Sequence, residues 1–179
     1  MIRTIIADDE RPARARLRRL LATEADIEIV AECADGSSAV AAVLEHEPDL
    51  LIDFATLTGA ARIALGADLP PLFSNQADVS SGIQQAGDEV EDPLWTLPLY
   101  QPYNKLIESP IADLNNSGKS AFAGCITAAL FLEHFVESAV PWVHIDTFAW
   151  NQSNRPARPQ GGEAMGLRAV FRYLQKRYA

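Results

Sequence analysis

Three apolar runs separated by two stretches of helical periodicity fill the first 55 residues, and this alternation restricts the fold more than any other feature. The runs are "RTIIAD", "IEIVAEC" and "DLLIDFA". Between them, Ala13, Leu17, Leu20 and Leu21, then Val40, Val43 and Leu44, recur at the three-to-four-residue spacing of one helix face. Asp9 is placed to cap the first helix, Pro12 suits its first turn, where a missing N–H costs nothing, and Ser37 is placed to cap the second. Strand, helix and strand joined by short connections imply parallel pairing through right-handed crossovers. The expected class is α/β, with three layers and a mostly parallel or mixed sheet carrying helices on both faces. The strands near residues 3–7, 27–32 and 49–55 are expected to lie adjacent and parallel. They would share one continuous sheet and one core with a strand near 141–148.

Downstream, "FAGCITAALFLEHFV" is apolar almost all round, which predicts a helix buried between layers. "VPWVHIDTF" reads as a strand. Gly161 and Gly162 precede a last amphipathic helix, whose Leu167, Val170, Phe171 and Leu174 are expected to face the core. Residues 74–92 read as a helix and a polar loop with solvated acids. The 179 residues carry a net charge of −9, which disfavours general nucleic-acid binding, and no apolar run is long enough to span a bilayer. Arg11, Arg14, Arg16, Arg18 and Arg19 form a solvated helix face. Cys33 and Cys125 lack metal or redox spacing and read as reduced core thiols of a cytoplasmic protein.

Residues 1–50, through "IADDERPARARLRRLL", "ECADGSSAV" and "PDL", resemble the first half of a response-regulator receiver domain. That resemblance implies a site in which Asp8 and Asp9 hold Mg²⁺ with an acceptor aspartate. Clustered carboxylates suit a hard cation and an incoming phosphoryl group. The family places its acceptor four residues after the Leu of Pro-Asp-Leu, at position 54. Here that position is Phe54, and Asp53 stands one residue early, on the opposite strand face.

Residues 48–179 resemble the carboxy-terminal part of the leucyl aminopeptidase family. The residues that carry this are "PDLLIDFATLTGAARIALGADLPPLF", "DPLWTLPLY", "IADLNNSGKSAFAGCITAALFLEHFV", "WVHIDTFAWN" and "RPARPQGGEAMGLRAVFRYL", in the family's order. The resemblance implies a metallo-exopeptidase that removes amino-terminal residues from peptides, using two divalent cations, Zn or Mn, about a bridging water. It also implies a homohexamer and a peptide substrate as partners, with neither nucleic acid nor membrane. Thr56, Leu57 and Gly59 match positions around the S1 pocket, Ser117 a position lining the primed side, and Phe148 and Asn151 positions at the floor of S1. No counterpart of the family's catalytic lysine, its metal-binding carboxylates or its Asn-Thr-Asp-Ala-Glu-Gly-Arg motif is found.

Other residues carry ordinary structural readings. His144 and Asp146 share one strand face but have no further ligands at useful spacing, so a hydrogen-bonded core histidine is expected. Asn115 and Asn116 read as turn residues, and no phosphate-cradling pattern surrounds Lys119. Three readings stay open: an aminopeptidase fragment inactive by itself, a receiver-type signalling module with a displaced phosphoacceptor, and a fold chimera with no selected function. The join is expected close to residues 47–51, where both families place a helix, Pro-Asp-Leu and a strand.

Overall fold

The computed structural model describes residues 2–178. They fold as two compact units, one of residues 2–49 with 174–178 and one of Leu50–Tyr173. In the first, β1 (Ile2–Ala7), α1 (Arg11–Leu21), β2 (Ile27–Cys33) and α2 (Gly36–His46) follow the expected alternation. The strands β1 and β2 pair in parallel, with a register shift between Thr4 and Ile5 that leaves Val30 as an extra residue in β2.

Both helix starts differ from expectation. Asp35, not Ser37, caps α2: its carboxylate accepts from the Ser38 N–H at 2.8 Å and the Ser37 hydroxyl at 2.6 Å. Asp35 is the last extended residue (φ −157°, ψ 169°), while Ser37 already lies within the helix. The residue before α1 is Glu10, whose side chain makes no cap; the Asp8 carboxylate accepts the Glu10 N–H at 2.8 Å, and Asp9 caps nothing. Pro12 sits in the first turn as expected. The arginines lie on an open face of α1, where Arg18 pairs with Glu32 at 3.3 Å.

The second unit is built on β3 (Leu51–Ala55), β4 (Pro71–Ser74), β5 (Trp95–Thr96) and β6 (Trp142–Asp146), in the order β3-β6-β4-β5. Within it β3 is parallel to β6 and β4 to β5, while β4 and β6 run antiparallel, so the sheet is mixed. Helices α3 (Arg62–Leu65), α4 (Ala77–Glu89) and α5 (Gly124–Glu133) complete it, with α6 (Leu167–Tyr178) as far as Tyr173. A short antiparallel pair, β7 (Trp150–Asn151) with β8 (Gly161–Gly162), closes the 151–162 turn.

Alternation along the strands gives the sheet two faces. Phe73 joins Cys125 and Ala129 of α5 and Ala61 in one cluster. On the opposite face, Gly166 approaches the Ile145 Cδ1, and a Cβ placed on it would stand 3.7 Å from that atom. Helices α4 and α6 pack closely because Gly82 and Gly87 leave room: a Cβ at Gly82 would meet the Tyr173 ring at 2.6 Å. Helices therefore cover both faces of a mixed sheet, as the three-layer class requires.

Four expectations need correction. Among the described residues no ladder joins β1 and β2 to β3; the strands form separate sheets. The edge of β3 that is paired runs along β6, in unbroken register from Leu51–Trp142 to Ala55–Asp146. In α6 the buried residues are Ala169, Val170 and Tyr173, whereas Leu167 is 52% exposed. Contact with Gly82 selects the Tyr173 face, and Leu167 sits at the open first turn. Helix α5 buries Cys125, Ala129 and Leu130, but Phe122 and Phe135 beyond its ends stand out in solvent. Finally, Asp92 is not a solvated acid. It is 6% exposed and accepts the backbone N–H groups of Gly166, Arg168 and Ala169 at 2.9–3.3 Å, capping α6 from 75 residues away.

Candidate functional site

Parallel β3 and β6 end at Ala55 and Asp146, so the chain leaving β3 turns beside an aspartate. The buried Asp146 carboxylate accepts the Leu57 N–H at 3.0 Å, the Thr58 N–H at 3.1 Å and the Thr58 hydroxyl at 2.6 Å. The Thr147 N–H donates to the Ala55 carbonyl at 2.8 Å. A carboxylate engaged by this many donors fixes the turn, since each bond to a charged acceptor is worth about 1.5–3 kcal/mol. Open α/β sheets commonly bind ligands beyond the carboxyl ends of such strands.

A cleft of about 400 Å³ lies there. Leu57 and Thr58 form one wall, α5 supplies Thr127, Ala128 and Phe131, and Ile107 closes the base. Its rim is the loop Asn115–Ser120. Asn115 shapes that loop: its N–H reaches the Ile107 carbonyl at 2.7 Å, and its side-chain oxygen accepts from the Ser117 N–H and hydroxyl. Gly118 adopts φ +65°, a left-handed conformation that residues with a Cβ adopt at a cost.

The site residues expected from the sequence are divided among several places. Leu57 and Ser117 line the cleft together. Gly59 and Phe148 meet at Arg62, a residue the sequence reading passed over. The Arg62 guanidinium lies 4.7 Å from the Phe148 ring centre, and its tip crowds Gly59. Thr56 is exposed on the turn and does not line the cleft. Asn151 is 2% exposed; its amide N–H₂ donates to the Arg158 and Pro159 carbonyls and so holds the turn before β8.

The histidine reading is met in detail. His144 is fully buried, and its Nδ1 lies 2.6 Å from the Asp53 carboxylate on the neighbouring strand. Asp53 also accepts the Trp142 indole N–H at 2.8 Å, and the His144 ring stacks on those of Trp142 and Phe73. Asp53 is therefore committed to its own sheet, whereas Asp8 and Asp9 belong to the other unit. Among the described residues no group of three or more His, Cys, Asp or Glu is placed to hold a metal ion. The residues that line the cleft include no carboxylate, histidine or cysteine, so they do not fit two divalent cations there. Both cysteines are free and buried, and burial pushes the Cys125 thiol above its ordinary range. No helix among the described residues is long and apolar enough to cross a membrane.

Residues 31–171 match the catalytic domain of the cytosol aminopeptidase family. A probable cytosol aminopeptidase of Synechococcus sp. (strain WH7803) is 38% identical over 154 residues, covering 83% of this chain and 31% of that protein. Its counterpart in Syntrophotalea carbinolica is 40% identical over 156 residues, covering 84% and 31%. Among solved structures, the cytosol aminopeptidase of Coxiella burnetii aligns with a TM-score of 0.73 at 55% identity, over 79% of this chain and 31% of that one. The bottromycin maturation enzyme BotP, solved in complex with Mn, aligns with a TM-score of 0.66 at 32% identity, over 72% and 29%. The chain spans about 31% of the length of the curated relatives. The match begins at residue 31, upstream of the boundary at 48 expected from the motifs.

Proposed function

Because the chain belongs to the cytosol aminopeptidase family, we propose that it supplies the substrate-side wall of a metal-dependent exopeptidase acting on the amino termini of peptides. The supporting observation is that the cleft beneath Leu57 and Thr58, with the Asp146 carboxylate that holds its wall, lies wholly inside the matched segment. Ser117 takes part at the rim, and Thr56, Gly59, Phe148 and Asn151 shape the surrounding turns. A cytoplasmic setting and assembly with further copies belong to the same reading.

Two-metal hydrolysis needs both cations held with an open position for water. Among the described residues no group of three or more His, Cys, Asp or Glu is placed for that, so no catalytic step is assigned to them, and the chain by itself is inactive in this reading. The test is hydrolysis of leucine p-nitroanilide by the purified chain with Mn²⁺, Zn²⁺ or Co²⁺ supplied. No turnover above buffer is expected, and metal-dependent turnover abolished by bestatin would overturn the claim of inactivity.

A second reading concerns the residues ahead of the match. β1, α1 and the start of β2 precede residue 31, and β1 pairs with β2 in parallel across α1, which favours a receiver-like segment joined to the aminopeptidase sequence. In this reading its phosphotransfer is lost, because Asp53 hydrogen-bonds His144 and Trp142. Acetyl phosphate with Mg²⁺ should leave the mass of the chain unchanged. A phosphoryl adduct that disappears in Asp53→Asn would restore the signalling function.

A further inference from the structure

The cleft beside Leu57 is chemically lopsided. Leu57, Leu106, Ile107, Ala128, Phe131 and Leu132 make its interior apolar, while its rim carries Asn116, Ser117, Lys119 and Ser120. Lys119 is the one formally charged residue among the described residues that line it. Neither Glu108 nor Asp113, the acids of the same loop, lines the cleft, nor does Lys105 beside Leu106. Among the described residues no ion pair engages the exposed Lys119 ammonium. Gly118, with its left-handed backbone, and the Asn115 turn give the loop a defined course at this point. The volume of about 400 Å³ lies toward the small end of the ~300–1,000 Å³ usual for small-molecule sites.

We propose that this cleft binds a small ligand with an apolar side chain and a terminal carboxylate, and that Lys119 reads the carboxylate. Leucine-like side chains fill the interior by apolar burial, which is indifferent to charge. The ammonium at the rim adds an attraction that a neutral end cannot obtain and an amine end would turn into repulsion. The inference deepens the preceding reading and rests on it for the source of such a ligand, a short peptide presenting its carboxyl end. Because Lys119 is solvated, the discrimination is modest, about fivefold at low salt.

The test is an NMR shift titration of the intact chain with N-acetyl-leucine and, separately, N-acetyl-leucinamide, which differ only in the charged end. The acid should bind about fivefold more tightly than the amide. It should shift the backbone amides of Leu57, Ser117 and Ala128, and the preference should shrink as salt is added. Lys119→Met should bring the two ligands to about equal affinity, and Lys119→Arg should keep the preference. Equal binding in the unaltered chain, a preference that survives Lys119→Met, shifts confined to another surface, or no binding of either compound would each overturn the proposal. Binding is read without turnover, so an inactive chain can still pass. A chain that hydrolyses peptides yet ignores the carboxylate would fail this inference and leave the exopeptidase reading standing.

Discussion

The two units use the same strand–helix–strand grammar and bury very different amounts of it. In the Leu50–Tyr173 unit every residue of β6 is buried, and Trp142, Phe73, Leu72, Ile83 and Leu130 are among its fully enclosed side chains. In residues 2–49 none of the α1 residues is buried, α2 buries Ala42 alone, and Leu20, Val40 and Leu44 are more than half exposed. A correct apolar stripe is therefore necessary for a core and not sufficient. Two strands carry too little surface to enclose a stripe on each of two helices, whereas a four-stranded sheet sandwiched by α5 on one side and α4 and α6 on the other does enclose one. Polar groups follow the same division. Asp53, Asp92 and Asp146 of the larger unit each accept two or more hydrogen bonds from distant residues, while Asp35 of the smaller unit serves its own helix.

The largest contrast should come from the core. Phe73→Ala removes a fully buried ring between α5 and His144 and should cost about 3–5 kcal/mol in urea unfolding. A cost below ~1 kcal/mol would mean that the apparent core is loosely packed. Next, Asp92→Ala leaves three buried or half-buried N–H groups at the start of α6 without their acceptor, for about 1–3 kcal/mol. Accelerated amide exchange at Gly166, Arg168 and Ala169 should localise that loss. Unchanged exchange there would remove the long-range cap from the account.

A smaller effect is set by pH. The Ser37 hydroxyl first, and then the Ser38 backbone N–H, hold the Asp35 carboxyl below its ordinary range. A lowered folded-state value means that the cap stabilises α2 above the ordinary carboxylate pKa of about 4 and is lost as pH falls through the lowered value. Protection of the Ser38 amide should therefore hold at neutral pH and drop below about pH 4, and Asp35→Asn should flatten that dependence. An identical profile in the variant would remove Asp35 from the explanation. Smallest of all, Leu44→Ala changes a side chain that is 67% exposed and should stay within about 0.5 kcal/mol of the parent. A cost near that of Phe73→Ala would erase the distinction between the two units.

Much of the fold was legible in short-range pattern. The helices α1 and α2, the strand of "WVHID" and the last helix follow from periodicities within a few residues. Errors gathered at element ends and at long range. Ser37 for Asp35 is a slip of two residues, inherent where several capping side chains stand in a row. Asp92 looked solvated because nothing near it in the chain asks for an acceptor; its partners begin at Gly166. The site was readable only in part. The spacing that marks Leu57 and Ser117 as neighbours of a pocket is a family pattern, while Arg62 and Thr58 carry no signal except proximity to the same loop.

Local chemistry thus decided which segments are strands and helices, and which face of each is apolar, because both depend on backbone preference and side-chain alternation over one or two turns. It also decided that Asp53 points to the face opposite a residue at position 54, since parity along a strand needs no partner. What that carboxylate then does was settled by the tertiary structure. Only the register of β3 against β6 puts Asp53 beside His144 and Ala55 beside Asp146, with 91 residues separating each pair. That register is chosen by the burial of Trp142, Val143 and Ile145 between two helical layers, an energy no window of neighbouring residues contains.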